Sequence, residues 1–250
     1  MKNVILITGG TGTLGEPLVK HFLSIGYTVI RTCAGDVCND DGISLMTNDN
    51  KLLTVKINFF EDNAVEKLIE TIKKYNLEPK YLINNARDKK TLQTTASGAI
   101  SKSNFEKEYY MQVVIPYILS CQLAKDFKTS FKAIVNVGSI YGITAVPSSL
   151  HTLKGHTPIH YSVAKSALIH LTKELASRWG KKGIRVNCIS IGGIESNKDS
   201  EISQVYKSVA PLNKMLNVHD LVKAFEFLLF EDSCSINGHN LVIDEGWTIV

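Results

Sequence analysis

Short apolar runs alternate with segments of helical periodicity along most of the chain. Residues 4–7 (Val-Ile-Leu-Ile) form a continuous apolar run, which is typical of a strand buried on both faces. A glycine-rich turn follows, and apolar residues then recur at helical spacing over residues 14–23. The pattern predicts strands at 4–7, 27–32, 52–57, 81–83, 133–137, 184–189 and 240–243, and helices at about 14–23, 64–72, 104–127, 161–179 and 220–229.

Strands that alternate with helices of this length indicate a parallel sheet, because each parallel pair of strands needs a right-handed helical crossover. We therefore expect one α/β domain over residues 1–250, with a doubly wound parallel sheet in three αβα layers. Pro116 should kink the helix at 104–127 or break one of its hydrogen bonds, since proline has no backbone N–H. No repeat, low-complexity tract or linker divides the chain.

Composition adds little to the fold but excludes several function classes. The chain has 250 residues, of which 44% are hydrophobic and 21% charged, and these values are near globular averages. The net charge of +4 is mild and no long basic run occurs, so we expect no nucleic-acid partner. No segment reaches the roughly 20 apolar residues of a membrane helix, and the N-terminal apolar run is too short for a signal peptide. We expect a cytoplasmic location, no membrane partner and a small-molecule ligand.

The turn between the first strand and the first helix has the residues of a dinucleotide-binding site. It reads Thr-Gly-Gly-Thr-Gly-Thr-Leu-Gly over residues 8–15. Glycine lets backbone approach a pyrophosphate closely, and a helix N-terminus offers free N–H groups to an anion. An ordinary tight turn is the alternative, which the position directly after the first strand makes less favoured. The predicted cofactor contacts in this turn are Gly9, Thr11, Gly12, Thr13, Leu14 and Gly15.

The end of the second strand should decide between NAD and NADP. An acidic residue there would bind the ribose 2′-OH, whereas an arginine would accept a 2′-phosphate. Arg31 and Asp36 are the two candidates, and neither stands at the ideal position. Because Cys33 is not acidic, the sequence favours NADP slightly and leaves NAD open.

Tyr161 and Lys165 form a candidate acid/base pair near the start of a predicted helix. Residues four apart share a helix face, so the ammonium group can lie near the phenol and lower its pKa. Ser139 ends the fifth predicted strand, at the sheet edge where ligands bind in such folds, and its hydroxyl can hold a substrate carbonyl or alcohol. The spacing of Tyr161 and Lys165 alone arises often by chance, and the combination with the glycine turn is more specific.

Together these features resemble the short-chain dehydrogenase/reductase family over nearly the whole chain. Further segments are similar to family motifs, namely Asn84-Asn85-Ala86 after the fourth strand, residues 134–139 at the serine-bearing strand, residues 185–187 entering the sixth strand, residues 192–194 at the nicotinamide turn, and residues 240–247 at the tail. The resemblance implies a Rossmann-type fold and hydride transfer between NAD or NADP and an alcohol or carbonyl substrate.

The resemblance also implies roles for single residues. It makes Tyr161 the acid/base, Ser139 the donor that orients the substrate, and Lys165 a ribose ligand that lowers the pKa of Tyr161. Gln112 stands where the family usually has an Asn that holds a water of the proton relay. The further cofactor contacts that the resemblance implies are Arg31, Asn58, Asn85, Ala86, Arg87, Tyr161, Lys165, Gly192, Ile194 and Ser196. No metal site is predicted.

Several positions depart from the family pattern. Arg87 replaces the glycine that usually follows Asn-Asn-Ala, and it could contact a phosphate or a substrate anion. Asn58 replaces the usual Asp near the adenine, and Glu245 replaces a glycine of the tail. The spacing of Gly9, Gly12 and Gly15 is that of a branch that includes sugar-nucleotide epimerases and dehydratases. Chain length and the tail favour the ordinary branch instead.

Two segments are expected to border the substrate. An insertion at about 143–160 separates Ser139 from Tyr161, and it contains His151, His156 and His160. Solvated histidines are commoner in such loops than metal ligands, and contact of one histidine with substrate stays open. Residues of about 196–213 resemble the mobile lid of the family.

The insertion, residues 138–142 and the tail resemble a subgroup that acts in bacterial surface-sugar pathways, including flagellin modification. This resemblance implies a sugar, sugar phosphate or nucleotide sugar as substrate. Two alternatives are a sugar-nucleotide epimerase or dehydratase that retains its cofactor, and a dinucleotide-binding regulator without turnover. The predicted helices at 104–127 and 161–179 could form the homodimer or homotetramer interface that is usual in the family.

Overall fold

Buried aliphatic strands form a sheet through the middle of the protein. The structure is a computed structural model that describes residues 3–34, 42–45, 51–94, 99–151, 158–195 and 200–250. The strands are β1 Val4–Ile7, β2 Thr28–Cys33, β3 Gly42–Leu45, β4 Lys51–Lys56, β5 Tyr81–Asn84, β6 Ala133–Ser139, β7 Arg185–Ile191 and β8 Asn240–Ile243. The predictions for Asp36, His156 and Ser196, and for the side chain of His151, lie outside the described residues.

Among these residues the sheet has the strand order β3-β4-β2-β1-β5-β6-β7-β8. All pairs are parallel except β3 with β4, which is antiparallel and lies at one edge. The doubly wound parallel sheet is therefore confirmed, and β3 is a strand that the hydrophobic pattern did not predict. Strand order reverses at β1, and such a switch point opens a crevice at the carboxyl ends of the neighbouring strands.

Helices cover both faces of the sheet. Their bounds are α1 Gly15–Ser24, α2 Ala64–Lys74, α3 Lys102–Tyr109, α4 Ile115–Asp126, α5 Ser148–His151, α6 Ile159–Trp179, α7 Glu201–Val209 and α8 Val218–Leu229. One core contains Leu68 of α2, Leu119 of α4 and Leu175 of α6. The other core contains Phe22 of α1 and Phe225 of α8. This arrangement confirms the three αβα layers.

The predicted helix at 104–127 is present, but a π-helical turn interrupts it. This turn, Tyr110–Val114, joins α3 directly to α4. The N–H of Ile115 donates to the carbonyl of Tyr110, five residues back. Pro116 lies in the first turn of α4 and has no N–H for the carbonyl of Gln112, so the wider turn accommodates the break that proline imposes.

Two further helices were not predicted from the periodicity of the sequence. α5 lies in the predicted insertion, α7 lies in the predicted lid segment, and the two helices are in contact. Leu150 of α5 and Tyr206 of α7 belong to a small buried cluster with Trp247 near the C-terminus. None of the helices that the structure describes is long and apolar enough to span a membrane.

Candidate active site

A cleft of about 820 Å³ opens at the carboxyl ends of the central strands. Its described lining joins the glycine turn, the segment after β5, the end of β6, the start of α6 and the turn after β7. The predicted site residues that line it are Gly9, Thr11, Gly12, Thr13, Leu14, Asn58, Asn85, Ala86, Arg87, Ser139, Tyr161, Lys165, Gly192 and Ile194. The fold thus brings together residues from most of the chain length.

The glycine turn forms a cradle that side chains would fill. Gly9 has a φ of +65°, and a Cβ atom there would lie 2.8 Å from the Cα of Ala86. At Gly15, which lies beneath the turn at the start of α1, a Cβ would collide with the carbonyl of Gly9. Leu14, the N-cap residue of α1, makes no side-chain cap, and no described residue accepts a hydrogen bond from the N–H of Gly15, the first residue of the helix. These features fit the pyrophosphate of a dinucleotide.

Thr8 and Asn85 clamp the glycine turn to the end of β5. The Thr8 hydroxyl accepts hydrogen bonds from the backbone N–H groups of Asn85 and Ala86, each at 2.9 Å. The Asn85 amide donates to the carbonyls of Thr8 at 2.9 Å and Gly9 at 3.0 Å. The side chain of Asn85 therefore holds the cradle in shape, while the residue also lines the cleft.

Arg31 lies away from the cleft. Its Nε donates to the Thr54 hydroxyl at 2.9 Å, and its side chain packs beside Gly10. The cleft is lined instead by Thr32, Cys33 and Ala34 at this end. This placement does not support the predicted contact of Arg31 with the cofactor, because Arg31 is not part of the described cleft lining and its Nε is bonded to the neighbouring strand.

Ser139, Tyr161 and Lys165 meet at the other end of the cleft. Ser139 ends β6 and shares a hydrogen bond with Tyr161 on the first turn of α6. One turn later, the Lys165 ammonium donates to the Val137 carbonyl at 2.5 Å and to the Gln112 Oε1 at 2.7 Å. Gln112 reaches Lys165 from the π-helical turn, and its Nε2 has no partner among the described residues.

Charge and burial set the protonation of this group. Burial raises the pKa of the Tyr161 phenol, while Arg87 and the hydrogen bond from Ser139 act in the opposite direction. Arg87 is thus a cation that lowers the Tyr161 pKa, and the effect of Lys165 on that pKa stays a prediction. Burial, together with Arg87, lowers the pKa of Lys165 to about 8. Tyr161 is consequently a neutral phenol at pH 7, which is the form that donates a proton.

Arg87 covers the face of Tyr161. Its guanidinium carbon lies 4.7 Å from the centre of the Tyr161 ring, within the range of a cation–π contact. The Lys165 ammonium lies 5.7 Å from the same point. Two cations therefore border the candidate acid/base, one from the segment after β5 and one from α6.

His160 has a structural partner. Its side chain is buried, and its Nε2 hydrogen-bonds with the carbonyl of Thr91 at 2.8 Å. The Thr91 hydroxyl forms a short hydrogen bond with the buried carboxyl group of Glu108. His160 and Glu108 thus hold the segment after β5 against α6 and α3. His160 is not among the residues that line the described part of the cleft.

Sequence reasoning missed several residues of the substrate end. Tyr141 lines the cleft, and its ring packs edge-on against Trp247, with ring centres 5.7 Å apart. The ring of Tyr206 in α7 stacks on the ring of Trp247, with ring centres 5.8 Å apart. Tyr141 stands two residues beyond Ser139, and this proximity in sequence was the signal that could have identified it.

Two curated relatives align with nearly the whole chain. An uncharacterized short-chain type dehydrogenase/reductase, y4vI of Sinorhizobium fredii, is 29% identical over 99% of this chain, which spans only 44% of that relative's length. The post-translational flagellin modification protein A of Campylobacter coli is 24% identical, covering 98% of this chain and 97% of the relative.

Solved structures share the fold closely. A short-chain dehydrogenase of Leptospira borgpetersenii with bound NAD⁺ has a TM-score of 0.85 and 31% identity, covering 99% of this chain and 93% of that chain. A 4-hydroxyisoleucine dehydrogenase complexed with NADH has a TM-score of 0.84 and 31% identity, and each chain is covered in full. The family profile described as enoyl-(acyl carrier protein) reductase matches residues 11–248. The chain belongs to the short-chain dehydrogenase/reductase family of NAD(P)-dependent oxidoreductases.

Proposed function

We propose that this chain catalyses hydride transfer between a nicotinamide dinucleotide and an alcohol/carbonyl pair of its substrate. The observation that carries the proposal is the group of Ser139, Tyr161 and Lys165 at one end of a cleft that has the glycine cradle at its other end. A bound nicotinamide supplies or accepts the hydride. Gly9, Gly12, Asn85 and the start of α1 would hold the dinucleotide, since they form the cradle.

The protein's own residues supply the proton and the orientation. In the direction of reduction, the Tyr161 phenol donates its proton to the carbonyl oxygen as that oxygen becomes an alcohol, and Ser139 holds the same oxygen by a hydrogen bond. Lys165 is held by Gln112 and Val137, so its ammonium has a fixed place next to the phenol. The Nε2 of Gln112, which has no partner among the described residues, is available to donate a hydrogen bond to a water of the proton relay.

Replacing Tyr161→Phe tests this assignment. We expect turnover to fall by a factor of about 10² to 10⁴, the usual contribution of a positioned acid/base, while NADH or NADPH still binds. Tyr141→Phe is the matched control, because it removes a phenol from the same cleft at a residue with no assigned proton transfer. Unchanged activity of the Tyr161→Phe protein would contradict the mechanism.

The substrate that we propose is a sugar, sugar phosphate or nucleotide sugar of bacterial surface-glycan biosynthesis. This proposal is supported by the sequence resemblance of the insertion and tail, and by the relative named as a flagellin modification protein. A panel of keto-sugars, nucleotide sugars, 3-oxoacyl thioesters and steroid ketones, each followed at 340 nm with both dinucleotides, tests it. Turnover that is confined to the thioesters or the steroids would refute the sugar assignment.

Location and assembly belong to the same proposal. We propose a cytoplasmic homodimer or homotetramer, in which the faces of α3, α4 and α6 meet those of another copy. Phe105, Tyr109 and Tyr117 of the first two helices and Val163 of α6 are exposed apolar residues that would be covered in this way. Sedimentation equilibrium of the wild-type protein and of Tyr117→Glu tests the interface, and a monomeric wild type would refute it.

A further inference from the structure

We propose that Arg87 binds an acidic group of the substrate, a carboxylate or a phosphate, directly beside Tyr161, so that the enzyme selects anionic carbonyl or alcohol substrates. This inference rests on the proposed hydride-transfer function and names the substrate chemistry of the same site. It concerns an anion near the reacting carbon rather than one at the far end of a large substrate.

The guanidinium of Arg87 is available to a ligand. Its side chain is exposed in the cleft, and the structure gives it no hydrogen bond or ion pair with any described residue. The ring of Tyr161 supports one face of the guanidinium, which leaves the N–H groups around its edge free. A guanidinium whose N–H groups are free can bind a carboxylate or phosphate through two parallel hydrogen bonds.

The charges around Arg87 favour an anion. The described cleft lining contains the cations Arg87, Lys89, Lys90 and Lys165, and Asp88 is the one carboxylate among these lining residues. Asp88 caps the following 3-10 turn, since its side chain accepts a hydrogen bond from the Lys90 N–H at 2.9 Å. A cleft with this excess of positive charge concentrates anionic ligands.

The backbone that carries Arg87 is held in place from two helices. Thr91, four residues later, accepts a hydrogen bond from His160 of α6 and contacts Glu108 of α3. Ala86, the preceding residue, is bonded to Thr8. Because both ends of the segment are fixed, less conformational freedom is lost when an anion binds to the arginine.

The dinucleotide is a second source of the same anion chemistry. The backbone of Ala86 approaches Gly9, so a dinucleotide held in the glycine cradle would pass near the residue that precedes Arg87. The side chain of Arg87 extends to Tyr161, the reacting end of the cleft, and this direction favours the substrate. The test must therefore measure cofactor binding and substrate-anion binding separately.

The experiment is calorimetric titration of the purified protein in phosphate-free buffer. NADH and NADPH are titrated first, and the protein saturated with the tighter dinucleotide is then titrated with succinate, with inorganic phosphate and with the uncharged control succinamide. The variants are Arg87→Met, Arg87→Lys and Lys128→Met, the last of which removes an exposed cation that does not line the cleft.

We expect succinate or phosphate, but not succinamide, to bind the wild type. Binding should weaken about 10- to 100-fold in Arg87→Met, the range for losing hydrogen bonds to a charged group, and less in Arg87→Lys. Lys128→Met should match the wild type, and the dinucleotide affinity of all variants should stay within about twofold, which also shows that they are folded.

Three results would overturn the inference. The first is a wild type that binds neither anion, and the second is equal anion binding by wild type and Arg87→Met. The third is a loss of dinucleotide affinity in Arg87→Met with anion binding retained, which would assign the arginine to the cofactor. Failure of the proposed function gives a different result, namely dinucleotide binding without turnover of any carbonyl in the substrate panel.

Discussion

The two ends of the cleft are built in different ways. At the cofactor end, backbone atoms and short side chains form the surface, and Thr8 and Asn85 lock the glycine turn to the next strand with hydrogen bonds of 2.9–3.0 Å. At the substrate end, long charged and aromatic side chains such as Arg87 and Tyr141 form the surface, and Tyr141 packs edge-on against Trp247. The cofactor end therefore tolerates little change in shape, whereas the substrate end can differ in charge and size on the same frame.

The rigid shape of the cofactor end predicts that the largest loss of dinucleotide affinity follows substitution of Gly9. In Gly9→Val, a branched side chain at φ +65° would press on Ala86 and occupy the cradle, so we expect dinucleotide affinity to fall more than 100-fold. Calorimetric titration with NADH and NADPH measures this loss. Gly26→Val is the control, because Gly26 also has a positive φ of +92° but no atom of a described residue lies within 4 Å of an added Cβ. Equal affinity in the two variants would show that the cradle is not the binding surface.

A smaller effect, on stability, is expected when the Thr8 hydroxyl that joins the glycine turn to the end of β5 is removed. Thr8→Val keeps the shape of the side chain but removes the acceptor for the N–H groups of Asn85 and Ala86. Leaving buried donors without partners costs about 1–3 kcal/mol in the free energy of unfolding. Urea denaturation measures the loss, and Thr13→Val at the rim of the turn is the control. Unchanged stability of Thr8→Val would mean that water replaces the hydroxyl.

The substrate end should respond to pH through Lys165. Its pKa of about 8 means that the ammonium is present below pH 8 and is lost as the pH rises through that value. In a plot of kcat/KM for carbonyl reduction against pH, we therefore expect an alkaline limb on which kcat/KM falls as Lys165 loses its proton. Arg87 lowers the pKa of Lys165, so Arg87→Met should move the limb to higher pH. A neutral ketone substrate keeps anion binding out of the measurement, and a limb that stays in place or moves down would contradict the coupling.

The smallest effect is expected at Glu245. This residue adopts a φ of +60°, in the left-handed region that favours glycine, and its carboxylate pairs with Lys214 at 3.4 Å. Glu245→Gly would relieve about 1–2 kcal/mol of backbone strain and remove an ion pair of about 1 kcal/mol or less, two contributions of opposite sign. We therefore expect the melting temperature to change by only a few degrees. A large drop would show that the pair with Lys214 holds the tail near Pro211.

Sequence periodicity predicted many of the strands and helices, because the spacing of buried residues within one element depends on local backbone geometry. The strand at residues 4–7 and the last strand at 240–243 were predicted with the observed bounds, and the helix predicted at 161–179 begins two residues earlier. The strand β3 and the helices α5 and α7 were not predicted, because they are short or stabilised by distant residues. Arg31 was assigned to the cofactor from its place at a strand end, and only its contact with Thr54 shows that it points elsewhere.

The sequence by itself determined the order of the central strands and the long helices, the glycine turn, and the shared helix face of Tyr161 and Lys165. These follow from spacing along one segment, where covalent geometry sets which residues meet. Only the tertiary structure decided that Gln112 holds Lys165, that Arg87 covers Tyr161, and that Glu108 and His160 hold Thr91. Those contacts join residues 17 to 74 positions apart, and such pairs meet only when the packing of the sheet and helices brings them together.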